Sequence, residues 1–296
     1  MSTDWDRVET DLKEARQLTL AVNTWCETNP PFRGIESLRP EDFKTKDTAF
    51  ILGSGTSVNA IPGGVASLKT QGDLIGLNFS LLLPAVPDVF FVHEPWLPKP
   101  TELERYFALL DHCYGTAPVP LIYDFRQTLM AQVPIDMFPP RLRERVYLNC
   151  PTHLPCTDAG VLREAMSAFD DKGWFDSGFG WLIHHMSTMT LAVNFAICAG
   201  YRNVVLLGVD LRDAKYFFDE MTPDVPAELL PQIARDRSAM HSTADPKFEL
   251  RNRSLPVDVY LLALKETVMD PKGIGLFIGS ATSLLHPRLP VWPGLA

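Results

Sequence analysis

Long apolar runs are missing from this chain of 296 residues. No window approaches the ~18 consecutive apolar residues that span a bilayer. Met1 to Trp25 carries charges throughout, so the basic-then-apolar pattern of a secretory leader is also missing. The expected location is therefore the cytoplasm, with peripheral association at the inner membrane left open. Basic excess is missing too: 27 Lys and Arg stand against 36 Asp and Glu, a net charge of −9. Phosphate-backbone binding needs clustered Lys and Arg, which excludes nucleic acid as the expected partner. The five cysteines (Cys26, Cys113, Cys150, Cys156, Cys198) form no CxxC pair and no Cys/His zinc spacing. They read as reduced, buried small hydrophobes. Glycine is modest at 18 and proline high at 25, so stiff loops are expected between many short elements.

Apolar residues make up 46% of the chain, ample for a substantial core. Residues 4–26 repeat Trp5, Val8, Leu12, Ala15, Leu18, Val22 and Trp25 at helical spacing, which predicts an amphipathic helix. Residues 1–47 are read as a helical extension packed outside a catalytic domain spanning 48–296. In that domain short apolar runs end on polar tips. Thr48 to Leu52 ends at Gly53, Leu74 to Leu77 at Asn78, Val89 to Val92 at His93-Glu94, and Leu121 to Tyr123 at Asp124. Val146 to Leu148 is a weaker run. The apolar helix Ser187 to Ala199 leads through Gly200 into a strand from Val204 to Asp210. Residues 257–269 are helical again, and Ile274 to Ser280 is a last strand. Buried strands alternating with helices give the expected fold, a doubly wound, mostly parallel α/β sheet. Ligands of such sheets sit beyond the carboxyl ends of the strands, so the polar tips are the candidate site. Residues 214–256 lack clear strand periodicity, and a lid over it is expected at about 212–256.

Gly53-Ser54-Gly55-Thr56-Ser57 follows a strand directly, and its N–H groups and hydroxyls suit a phosphate. It is neither a GxGxxG turn nor a P-loop. Ser187-Thr188 opens a helix, where hydroxyls either cap the helix or share an anion with its N–H groups. Asp210 ends a strand but makes no Asp-x-Asp metal motif with Asp213. No His-Glu-x-x-His and no Gly-x-Ser-x-Gly elbow is present. His241 lies in a polar, irregular stretch where an imidazole can act as a base near neutral pH.

In order, these pieces resemble the bacterial sialyltransferases of glycosyltransferase family 42, over most of residues 48–293. Gly53-Ser54-Gly55-Thr56-Ser57 is similar to the family's Gly-Asn-Gly-Pro-Ser donor turn. Gly76-Leu77-Asn78-Phe79 is similar to its Arg-Cys-Asn-Gln segment. Ala196 to Asp210 resembles Ala-x-Ala-x-Gly-Tyr-Lys-Glu-Ile-Tyr-Leu-x-Gly-Ile-Asp, which places Ser187-Thr188 on the family's donor-contacting Thr-Ser. Tyr216-Phe217-Phe218-Asp219 resembles Tyr-Ala-Phe-Asp, and His241-Ser242, with Asp245 beyond, resembles the His-Ser of the lid. Gly279 to Leu285, containing Ser280, is similar to the final Cys-Pro-Asn-Ser-Leu-Leu. Ser54, Thr56, Met189 and Arg212 depart from the family's Asn, Pro, Gly and second phosphate-binding Tyr.

The resemblance implies a GT-A-like fold and transfer of sialic acid, or a related nonulosonic acid, from a CMP-activated donor to a saccharide acceptor, as in lipopolysaccharide biosynthesis. It implies inversion, with His241 as general base and Tyr216 and Arg212 on the departing phosphate. Gly53, Ser54, Gly55, Thr56, Asn78, Ser187, Thr188, Asp210 and Ser280 would bind the nucleotide or sugar. No metal is required, although Mg²⁺ can stimulate. Homo-oligomerisation stays open. So do two alternatives, a catalytically silent nucleotide- or glycan-binding homologue and a flagellin-modifying transferase of the motility accessory type.

Overall fold

The computed structural model describes residues 3–93, 100–129, 134–176, 178–230, 241, 243–244 and 254–295. Its centre is an eight-stranded sheet whose ladders are all parallel. The strands are β1 (Arg33–Gly34), β2 (Thr48–Leu52), β3 (Asp73–Leu77), β4 (Val89–Val92), β5 (Leu121–Asp124), β6 (Val146–Asn149), β9 (Asn203–Leu207) and β10 (Gly275–Ile278). Their spatial order is β1-β6-β5-β4-β3-β2-β9-β10. A separate parallel pair joins β7 (Thr152–His153) to β8 (Ile183–His184). The helices are α1 (Thr3–Thr28), α2 (Pro100–Tyr114), the single turn α3 (Arg126–Leu129), α4 (Ala159–Asp171), α5 (Thr188–Cys198) and α6 (Val257–Leu264).

Alternate residues of the central strands enter opposite layers, and both layers are apolar. Ala49, Ile51, Ile75, Phe91, Ile122, Val204 and Leu206 pack with α4, α5 and α6 on one face. Phe50, Leu52, Leu74, Phe90, Leu121, Val205 and Leu207 pack with α2 and a series of 3₁₀ turns on the other. Two buried faces explain why these strands read as unbroken apolar runs instead of alternating patterns. The expected runs all become strands, and the helix expected over 257–269 ends its α-helical part at Leu264 and continues as a π-helical turn over Lys265–Met269.

The described residues 3–47 pack into the core instead of lying outside it as expected. The Trp5, Val8 and Leu12 end of α1 packs into the first core layer, while Leu18, Val22 and Trp25 pack into the second. The helix therefore straddles the sheet edge, and β1 extends that sheet by pairing with β6. Its apolar stripe shows helical spacing but does not say what covers it.

The chain leaves β2, builds outward through β3, β4, β5 and β6, and returns to β9 on the other flank of β2. The 3₁₀ segments after β2 place Val58, Val65 and Leu68 in the second layer. The connection after β9 leads to α6 in the first layer. The two connections diverge, and a crevice opens between the carboxyl ends of β2 and β9, where α/β sheets bind ligands. Of the expected lid, residues 231–240, 242 and 245–253 lie outside the described residues, including Ser242 and Asp245; Glu94 lies outside as well. No helix among the described residues is long and apolar enough to cross a membrane.

Candidate functional site

A small cleft of about 90 Å³, partly open to solvent, lies in this crevice. Gly53, Ser54 and Gly55 come to it from the end of β2, Asn78 and Phe79 from the end of β3, and Gly208 to Leu211 from the end of β9. Ser187 and Met189 come from the start of α5, and Asp213, Lys215, Tyr216, His241 and Thr243 from the long connection that follows β9.

The glycine turn is held against β9 by its own backbone. Gly53 N donates to Leu207 O at 2.7 Å and Gly55 N to Gly208 O at 2.8 Å. A Cβ on Gly53 would stand 2.5 Å from Gly208 O, and one on Gly55 would stand 2.8 Å from it and collide with the Asp210 carboxylate. These positions are glycine because two backbones meet there. The expectation that their N–H groups greet a phosphate is corrected: both amides are consumed inside the protein. Ser57 N is consumed as well, donating to Asp210 Oδ2 at 2.9 Å.

The cleft still holds unmet polar capacity. Ser54 Oγ, Asn78 Oδ1 and Asp210 Oδ1 are buried with no hydrogen-bond partner. All three residues line the cleft, where a ligand or solvent can meet these atoms. Asn78 also has φ of 53°, a left-handed conformation that few side chains other than Asn adopt readily. Tyr216 stands beside Phe79 with ring centroids 5.6 Å apart. Its segment is docked on the turn by the bond from Phe217 N to Ser54 O, 2.9 Å. Ser187 caps α5, accepting from Met189 N at 3.2 Å, so the capping role and the place on the wall coexist.

His241 shares the cleft, with Nδ1 2.9 Å from Thr243 Oγ1. Thr243 N also donates to Nδ1, at 3.4 Å, so in this arrangement Nδ1 accepts and carries the lone pair of the neutral ring. Burial pulls the imidazole below its usual range, and the Asp213 carboxylate pushes it back up. His241 is therefore held neutral, in the form that can accept a proton.

Four expected residues lie off the wall. Thr56 begins the 3₁₀ segment Thr56–Ala60 and is not among the lining residues. Thr188 is buried in the first turn of α5, 4% exposed. Ser280 faces a separate recess with Ser57, Gly279 and Val291. Arg212 is exposed and not among the lining residues, and it follows buried Leu211, whose φ is 61°. Lys215, Asp213, Phe79 and Thr243 are lining residues that the sequence reading missed. The Asp-Ala-Lys-Tyr run around Tyr216 was the one signal available for Lys215.

A second polar group sits at the carboxyl ends of β4 and β8. The ring of His184 is 5.8 Å from that of His93 and 5.2 Å from that of His153, and neither His184 nitrogen has a partner. Burial lowers the basicity of all three rings. Among the described residues, no group of three or more His, Cys, Asp or Glu is placed to hold a metal ion.

The chain has solved structural neighbours. One is the sialyltransferase CstII of Campylobacter jejuni in complex with cytidine-5'-monophosphate, at 15% identity over 84% of this chain and 86% of that one, TM-score 0.44. The same enzyme with CMP-3FNeuAc matches at 14% identity over 84% and 87%, TM-score 0.42. The monofunctional alpha-2,3-sialyltransferase Cst-I of Campylobacter jejuni matches at 12% identity over 84% and 82%, TM-score 0.43. At such identity and fit, no residue of this chain takes a role from them. No protein-family model and no curated protein matches the chain.

Proposed function

We propose that the cleft binds a CMP-activated nonulosonic acid, sialic acid foremost, and transfers the sugar with inversion to a hydroxyl of a saccharide acceptor. One observation carries this reading. Gly53, Asn78, Ser187, Asp210, Tyr216 and His241, scattered over the chain and tied to such a donor by the sequence resemblance, line a single cleft at the point where strand order reverses.

In the proposed reaction the neutral His241 imidazole removes the proton of the acceptor hydroxyl as its oxygen attacks the anomeric carbon. The bond from that carbon to the phosphate oxygen breaks, and CMP leaves with the electron pair. Negative charge grows on the phosphate, where the Tyr216 hydroxyl can donate. The imidazolium formed on His241 is stabilised by the Asp213 carboxylate. Asn78 Oδ1, Ser54 Oγ and Asp210 Oδ1, unpartnered without ligand, accept from or exchange hydrogen bonds with the nucleoside and sugar hydroxyls. The transfer as drawn uses no metal.

The test is thermal and kinetic. CMP at millimolar concentration should raise the melting temperature. His241→Ala should keep that rise while sugar transfer from CMP-sialic acid falls by about 10²–10⁴-fold. Full turnover by His241→Ala, or preference for UDP-sugars, rejects the proposal. CMP binding by the wild type without hydrolysis or transfer identifies the silent binding protein instead.

A further inference from the structure

Several backbone amides that could meet a phosphate are already employed within the protein. The amides of Gly53, Gly55 and Ser57 are spent on Leu207 O, Gly208 O and the Asp210 carboxylate. At the start of α5, Met189 N and Thr190 N are spent on the Ser187 hydroxyl and carbonyl. Three amides of the glycine turn and two of the helix terminus are therefore unavailable to an anion. The wall also carries two carboxylates, Asp210 and Asp213. They repel an anionic donor unless a cation offsets them.

Among the described residues lining the cleft, Lys215 is the only Lys or Arg. Its side chain is exposed, and it has no ion pair among the described residues. Its backbone position is set: Lys215 N donates to Asp213 Oδ1 at 3.0 Å, which also orients the Asp213 carboxylate. Tyr216, the next residue, lies on the same wall. Arg212, the cation expected from sequence, is exposed and not among the lining residues.

We propose that Lys215 is the cation that holds the phosphate of the bound nucleotide and takes up the charge that develops there when the sugar leaves. This rests on the reading of the cleft as a CMP-sugar site and names its phosphate-binding group. An ammonium on a flexible stem can follow a phosphate from the ground state to the departing anion without a preformed amide nest. A charge-assisted bond of this kind also outweighs a neutral one.

The experiment compares CMP with cytidine by calorimetry. The wild type should bind CMP more tightly than cytidine, with CMP affinity falling as salt rises. Lys215→Met should lose about tenfold or more in CMP affinity, keep its cytidine affinity, and lose the salt dependence. Lys215→Arg should restore part of the CMP affinity. Arg212→Met should behave as wild type. Unliganded melting temperatures should be unchanged in all three, since both side chains are exposed. Equal CMP affinity in Lys215→Met and wild type overturns the proposal, as does loss confined to Arg212→Met or equal loss of CMP and cytidine in Lys215→Met. A wild type that binds neither CMP nor cytidine rejects the nucleotide reading itself, a different result from any of these.

Discussion

The two ends of β3 carry polar side chains five residues apart, and they are treated in opposite ways. At the amino end the Asp73 carboxylate is 2% exposed and fully employed. It accepts from Thr45 N at 2.8 Å, Thr45 Oγ1 at 2.6 Å, Lys46 N at 3.0 Å and the Tyr201 hydroxyl at 3.0 Å. Burial and the charge of Asp73 push the Tyr201 hydroxyl well above its ordinary pKa, so it stays a donor. At the carboxyl end Asn78 holds a left-handed backbone and an amide oxygen with no partner. The end of β9 repeats this, with Asp210 Oδ1 unpartnered. One edge of the sheet closes its hydrogen bonds within the protein and holds the loops together. The other leaves acceptors open, at a cost in stability, and so keeps capacity for a ligand.

Substitutions that treat the two edges alike should give opposite results. Asp73→Ala strands several donors at once, each worth about 1 to 3 kcal/mol when buried and unmet. It should lower unfolding free energy by at least about 3 kcal/mol in urea titrations, and any CMP binding that survives should keep its affinity. Loss of CMP affinity in a folded Asp73→Ala protein would dissolve the contrast.

Acid should act chiefly through the carboxyl edge. Burial holds His153 down to about 3 and lowers His93 and His184 in the same direction. In the unfolded chain these rings protonate below about 6.5. The unfolded state then binds more protons, so stability is fully present above pH 6.5 and is lost as pH falls toward 3. For His153 alone the loss between pH 7 and pH 5 should be about 2 kcal/mol. Urea midpoints measured at the two values check this. His184→Leu, which removes a ring with no partner, should make the decline shallower; an unchanged slope would show that this ring is not held neutral by the fold.

The smallest effect on stability belongs to Asn78→Gly. Glycine accepts φ of 53° without strain, so unfolding free energy should move by less than about 1 kcal/mol. CMP affinity should nevertheless fall about fivefold, the worth of one hydrogen bond. A stability loss as large as that of Asp73→Ala would mean that Asn78 is a structural residue like its counterpart at the other end.

Much of this was legible along the chain. Strands buried on both faces must be apolar at every position, so β2, β3, β4 and β9 stood out from Thr48 to Leu52, Leu74 to Leu77, Val89 to Val92 and Val204 to Leu207. Their polar tips followed from the geometry of parallel sheets, and Gly53, Asn78 and Asp210 were found that way. The one-turn and two-residue elements, such as β1, β7 and β8, were not found, because so few residues show no period.

By itself, then, the sequence determined the fold class, the strand cores and the edge of the sheet on which a ligand would sit, because periodicity and burial are local properties of a run of residues. Tertiary structure decided the rest. It set α1 across the sheet edge, since the apolar stripe of a helix does not name its partner. It spent the amides of Gly53 and Gly55 on β9, a pairing made across more than 150 positions of chain. It also set Lys215 on the cleft wall and left Arg212 off it. A hydrogen-bond donor counts for a ligand only if nothing else has taken it, and what takes it is fixed by contacts that no local stretch of sequence contains.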